Sequence, residues 1–346
     1  MKSLEADHYK FIENVISLTN QSDNSTIISA VSLATTDQNG NIYLVDPRTM
    51  EIHSFTEGLS HRWTTGGKGS GPGQFNFISA IYTDDEHLYV YENASSTVTV
   101  YSMDGERLND WTFGEEGHRM SSMRQFNNGN FVAAGWNEKS ETILNIYDKN
   151  LKNRLARFHK LENILKTGNP TLERQVLRNY PGSVAPVNDS TIIYSAPAYN
   201  GRFDLFTRQS DGNWEKTSSI KGYSSIQEPV IFHRSRDGNH ERSHLSGFDP
   251  EGGYFHTEFI SMSHGLYILE NGRIAHLSTK LNKDDEWDIV IEYFDTGDLK
   301  LDNFAILESV IASQQFQQVP LWMDENGRIY MNENSDVPLR ILEIGE

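Results

Sequence analysis

The sequence predicts an all-β protein, a six-bladed β-propeller of four-stranded antiparallel blades, and three observations lead there. Residues 66–113 spell out one complete four-stranded unit. Two strand patterns then recur six times each along the 346 residues. The last copy is one strand short, and the N-terminal segment can supply that strand and close a ring.

Within the complete unit, residues 77–82, 87–91 and 97–101 alternate or carry β-branched and aromatic side chains, as half-buried strands do. Residues 107–113 follow as a fourth strand. Between the third and fourth lies Met103-Asp104-Gly105-Glu106, whose Asp-Gly supplies the positive φ that a tight hairpin needs. Gly71-Pro72-Gly73-Gln74-Phe75, Leu88-Tyr89-Val90, Asn93, Val98 to Tyr101 and Asp104-Gly105 together resemble the NHL repeat, the blade unit of a group of six-bladed propellers. The resemblance covers this one repeat of about forty-five residues, which is a blade length. It implies the fold and leaves the activity open, because the family includes both enzymes and protein-binding modules.

Along the chain, the pattern of a turn followed by an aromatic or β-branched second strand recurs at 39–44, 87–90, 129–132, 191–194, 265–268 and 327–330. A third strand recurs at 51–55, 98–101, 143–147, 203–206, 289–294 and 339–344. These copies divide a single domain, residues 1–346, into blades at about 26–66, 75–114, 121–158, 183–221, 257–301 and 317–346, the last completed by 8–19. Closure by the N-terminal segment removes the two sheet edges that an open array would leave. Phe11, Val15 and Leu18 equally suit one face of a short capping helix.

The later copies are spaced too widely for one blade, so insertions are expected at 159–182, 222–257 and 301–318. Each falls between the fourth strand of one blade and the first of the next, where the glycine-rich loop at 66–74 also lies. All such connections emerge on one face of the disc, and loops projecting from a rigid scaffold are where binding groups concentrate. Asn169-Pro170 followed by 171–179 reads as a short helix with Asn as its N-cap, burying Leu172, Val176 and Leu177. A second helix is expected at 302–312, although Val310 and Ile311 also suit a strand.

Composition narrows the function. The chain has no cysteine, which excludes disulfides, thiolate metal sites and cysteine nucleophiles. A formal net charge of −18 opposes phosphate backbones and argues against nucleic acid as a partner. No apolar run is long enough to span a membrane, and no export signal opens the chain, so either a cytoplasmic protein or an exported mature form is expected, acting as a monomer.

His240-Glu241-Arg242-Ser243-His244 matches the zinc-peptidase pattern of two histidines flanking a catalytic glutamate. Its surroundings, Asp237-Gly238-Asn239 before and Ser246-Gly247 after, provide no apolar stripe to hold a helix, so a polar loop is expected there. A looser divalent-metal site formed from His233, His240, His244 and His256 is a second reading of the same insertion. Asp37-Gln38-Asn39-Gly40-Asn41 lacks the closing glutamate of a calcium loop and reads as a hairpin turn.

The loop-face insertions carry Lys68, Lys160, Lys166, Arg174, Arg178, Arg234, Arg236 and Arg242. They point to a locally positive face, with Lys68, Arg174, Arg178, Arg234, Arg236 and Arg242 as the candidate ligand-binding residues. The function expected is therefore a non-catalytic scaffold whose long-loop face binds a small molecule, a glycan or a protein, anionic in character. The alternative is a metal-dependent propeller enzyme of the lyase or lactone-hydrolase kind, with its site at the mouth of the central channel.

Overall fold

Cross-strand pairing of short, twisted strands whose middle members are apolar on both sides leaves each sheet with two faces to bury, and radial stacking of such sheets buries both. The computed structural model of the protein describes residues 9–10, 28, 30–84, 86–113, 118–137, 139–160, 170–223, 229–235, 245–249, 253–311, 320–332 and 339–344. Six four-stranded antiparallel sheets form the blades. From the axis outward, the first blade comprises Leu33–Thr36, Ile42–Asp46, Glu51–Phe55 and His61–Gly66. The second comprises Ile78–Thr83, His87–Glu92, Thr97–Ser102 and Arg107–Thr112, and the third His118–Gln125, Phe131–Asn137, Thr142–Tyr147 and Arg154–Lys160. The fourth runs Ser183–Asn188, Thr191–Ser195, Arg202–Arg208 and Trp214–Lys221, and the fifth Ser261–Ile268, Ile274–Leu281, Trp287–Phe294 and Leu301–Ile311. Pro320–Met323, Ile329–Asn332 and Leu339–Ile344 make the sixth, and Tyr9–Lys10 pairs antiparallel with its last strand at Ile344 and Glu343. The N-terminal segment thus supplies the missing strand, while the expected strand or helix over 11–18 lies outside the described residues.

The first-to-second-strand turns repeat a local device. Asp37 accepts from the backbone N–H of Asn39 and Asn41 and from the Tyr43 hydroxyl. Asp84 does the same with Glu86, His87 and Tyr89, and Asp324 with Asn326, Arg328 and Tyr330. One carboxylate therefore closes the turn and anchors the following strand, which is why the calcium-loop look of 37–41 is only a turn. Side chains also cross the seams. Arg328 reaches Glu57 at 2.8 Å, and Trp322 donates to Thr36 Oγ1 at 3.1 Å, joining the last blade to the first. The glycine-rich loop delivers Phe75, 2% exposed, into the core between the first two blades.

Two expectations are corrected in the fifth blade. Residues 265–268 belong to its innermost strand, not its second, which is Ile274–Leu281 beyond a turn at Asn271-Gly272; the third strand stands where it was expected, at 289–294. Residues 301–311 form its outer strand rather than an inter-blade loop or a helix. Its register against Trp287–Phe294 buries Phe304, Ala305 and Leu307, and that cross-strand packing overrides the local helical preference. The insertion after the fourth blade holds its own three-stranded sheet, Val230–Ser235, Gly253–Phe259 and Leu245–Asp249 in spatial order. The helix Pro170–Asn179 is present, and Leu172, Val176 and Leu177 are buried as its spacing requires. Its proposed cap, Asn169, lies outside the described residues. No helix among the described residues is long and apolar enough to cross a membrane.

Candidate site at the mouth of the central channel

The six innermost strands enclose an axial channel, and the residues lining its two mouths differ in chemistry. On the face of the inter-blade connections, a cavity of 520 Å³ is walled by the starts of the inner strands and by Asn179 to Gly182, at the C-terminal end of the helix. A second cavity of 290 Å³ adjoins it, sharing Ser32, Leu33, Ser121, Asn179 and Pro181 and adding Arg119 and Arg178. The opposite mouth is lined by first-to-second-strand turns, including Asp37, Asp84 and Glu325. Although the chain has 48 aspartates and glutamates, none of those among the described residues lines the larger cavity on the connection face.

Arg124, Tyr267 and Trp322 line both mouths and so partition the channel. The Arg124 guanidinium lies over both rings, 5.3 Å from the Tyr267 centroid and 4.6 Å from that of Trp322. It donates to the backbone carbonyls of Met123 at 2.8 Å and Leu266 at 3.4 Å. Among the described residues the ionisable groups close enough to act on it are Tyr267 and Tyr82, and neither is a carboxylate. Burial accordingly pushes its pKa down, and burial also holds the Tyr267 phenol up at about 12, against the pull of the Arg124 charge.

The wall contributed by the fourth and fifth blades is polar behind its surface. His276 and Glu292 are cross-strand partners in the fifth blade, and both side chains are buried. His276 Nδ1 lies 2.9 Å from Glu292 Oε2, and Nε2 lies 2.9 Å from Ser263 Oγ and 3.2 Å from Ser195 Oγ. Ser263 also reaches Ser183 Oγ at 3.4 Å and is half-buried, lining the larger cavity. Glu292 accepts from the backbone N–H of Tyr223. Burial, followed by the Glu292 charge, pushes the Tyr199 phenol well above its ordinary value.

Two glycines make room for this arrangement. A Cβ on Gly222 would collide with the Tyr199 hydroxyl and the Glu292 carboxylate, and one on Gly265 would collide with the Tyr267 ring. His264, on the bulge between Ser263 and Gly265, lines the cavity and pairs with Thr279 Oγ1 at 2.8 Å. Burial, then the neighbouring His276, lowers its pKa to about 3, so it is neutral at physiological pH.

The candidates singled out by charge spread more widely. Arg178 lines the smaller connection-face cavity. Arg174 is exposed and paired with Glu141 at 2.7 Å, and Lys68 is exposed on the glycine-rich loop. Arg234 lies on the strand Val230–Ser235, while Arg236 and Arg242 lie outside the described residues. Of the four histidines, His233 and His256 are Cα partners across two strands, and His240 and His244 lie outside the described residues. Among the described residues no group of three or more His, Asp or Glu is placed to hold a metal ion. Sequence reasoning missed Arg124, Ser263, His276 and Glu292. A buried strand interrupted by a carboxylate, Ile289-Val290-Ile291-Glu292, was the available signal.

No family model matches the chain, and no curated protein matches it in sequence. Solved structures do match. A putative exported protein from Bacteroides fragilis is 12% identical, with a TM-score of 0.54, covering 98% of this chain and 95% of its own. A member of the DUF4221 family from Bacteroides vulgatus is 10% identical, with a TM-score of 0.52, covering 90% and 91%. A catalytically inactive virginiamycin B lyase from Staphylococcus aureus, solved with quinupristin, is 9% identical with a TM-score of 0.47 over 92% and 96%. At such identities the first two likenesses speak for the six-bladed fold and for nothing finer.

Proposed function

We propose that the channel mouth on the connection face binds a small anionic molecule, with the Arg124 guanidinium as its recognition group. One observation carries this reading: among the described residues the buried Arg124 charge has no carboxylate partner, and none of those lining the connection-face cavity is a carboxylate, those of the channel standing at the opposite mouth. Holding a desolvated charge without a counter-ion costs several kcal/mol, and such a cost is tolerated where a ligand supplies the missing partner. A cavity of 520 Å³ suits a small molecule better than a protein loop or a long glycan. The carboxylates at the opposite mouth favour entry from the connection side, where Arg119 and Arg178 border the adjoining cavity.

The site's serines and amphipathic rings add hydrogen-bonding groups and flat apolar surface, so a carboxylate or phosphate carried on a compact organic body fits it. Isothermal titration with small carboxylates, sugar acids and phosphate esters, at low and high salt, tests the reading. At least one class is expected to bind, more weakly as salt rises. Binding of none, or binding that survives Arg124→Met undiminished, overturns it.

A further inference from the structure

We propose that Ser263, His276 and Glu292 form a hydrolytic relay opening into the same cavity, and that the protein cleaves esters of small acids there. This rests on the cavity being the ligand site but does not use Arg124 for the chemistry. Three side chains from successive strands of the fifth blade meet in the order that acyl transfer requires. A serine hydroxyl lies 2.9 Å from one imidazole nitrogen, and a buried carboxylate lies 2.9 Å from the other. Such a set is recognised by geometry and roles, not by order in the chain.

The Glu292 carboxylate can only accept, so it fixes the imidazole tautomer with its proton on Nδ1 and leaves Nε2 free to accept from serine. Glu292 is in turn held by the Tyr223 N–H, and Gly222 leaves the space it occupies. Two serines reach Nε2, but they are not equivalent. Ser195 is fully buried, whereas Ser263 lines the cavity and sits beside the bulge that turns the inner strand toward it. A polar plug sealing the seam between two blades would need no such opening.

In the reaction, Ser263 Oγ forms a bond to the ester carbonyl carbon while its proton passes to His276 Nε2. The carbon–oxygen bond to the alcohol then breaks, and His276 returns the proton to the departing alkoxide. Water adds to the acyl-serine, giving one proton to His276, which hands it back to Ser263 as the acid leaves. Ser263 and His276 are the catalytic residues, and Glu292 is a positioning residue.

The test uses the full chain with methanesulfonyl fluoride, a small uncharged probe, and with 4-nitrophenyl acetate. Peptide mass mapping of the wild type is expected to place the sulfonyl group on Ser263 with parallel loss of ester turnover. His276→Gln is expected to slow both by about a hundredfold or more. Glu292→Gln should lower the maximal inactivation rate without changing the half-saturating probe concentration, a split that a merely structural role would not produce. A wild type that is neither sulfonylated nor esterolytic, a label on Ser195, or an undiminished rate in His276→Gln overturns the proposal. These outcomes require no folded Ser263→Ala variant, and anion binding by calorimetry is read separately, so failure of one reading does not masquerade as failure of the other.

Discussion

Replacing Arg124 by methionine should leave stability nearly unchanged while weakening binding. In the unliganded protein the guanidinium makes one good carbonyl bond at 2.8 Å, one long one at 3.4 Å, and two ring contacts. A hydrogen bond from a charged group contributes about 1.5–3 kcal/mol, and a cation–π contact about 0.5–2 kcal/mol. Against these stands the desolvation of a charge that has no carboxylate partner among the described residues, a cost of several kcal/mol. A thioether keeps the apolar stacking on Tyr267 and Trp322 and removes that cost. The net change in folding free energy should therefore lie within about 1 kcal/mol of zero. Anion affinity, by contrast, loses a charge-assisted pair and should fall by about tenfold to a hundredfold. Urea denaturation and calorimetry on the same preparations measure the two numbers. Destabilisation by more than about 3 kcal/mol with unchanged affinity would identify Arg124 as a structural pillar and refute the argument.

Three further outcomes follow from the geometry. Burial lowers the His159 pKa from 6.5 to about 4, against the pull of Asp204, so the unfolded chain takes up this proton first. The stability it contributes is complete above pH 6.5 and is lost as pH falls toward 4, by about 3 kcal/mol in all, and His159→Phe should flatten that slope in denaturant midpoints taken across the range. Asp324, 3% exposed, serves two backbone N–H groups, the Arg328 guanidinium and the Tyr330 hydroxyl, so Asp324→Ala should cost about 3–5 kcal/mol in equilibrium unfolding. Gly222→Ala forces a methyl against Tyr199 and Glu292 and should cost about 1–3 kcal/mol while slowing ester turnover, where a passive surface loop would tolerate it without effect.

The ring was legible because a blade is a local object. Its strands are short, alternate in polarity and are joined by turns such as Asp37 to Asn41 whose chemistry sits within five residues. The helix Pro170–Asn179 was legible for the same reason, from proline at its start and a buried stripe at helical spacing. The fifth blade's second strand was misplaced because the bulge at Ser263 and Gly265 breaks the alternation of the first, and the inserted sheet ahead of it was hidden among polar residues.

The candidate site was much less legible. Ser263, His276 and Glu292 are brought together by hairpin lengths and register, not by a motif, and Arg124 looks like any strand-edge cation until the ring places it on the axis. Charge counting led instead to exposed loop cations such as Arg174, which the structure pairs with Glu141.

The claim on which the rest depends is that the axis at Arg124 is where a ligand's negative charge is received. Crystals soaked in bromide and measured at its absorption edge address it directly. An anomalous peak within hydrogen-bonding distance of the Arg124 guanidinium, on the connection side of Tyr267 and Trp322, is the predicted result. Peaks confined to exposed lysines and arginines, with none in the channel, would contradict it.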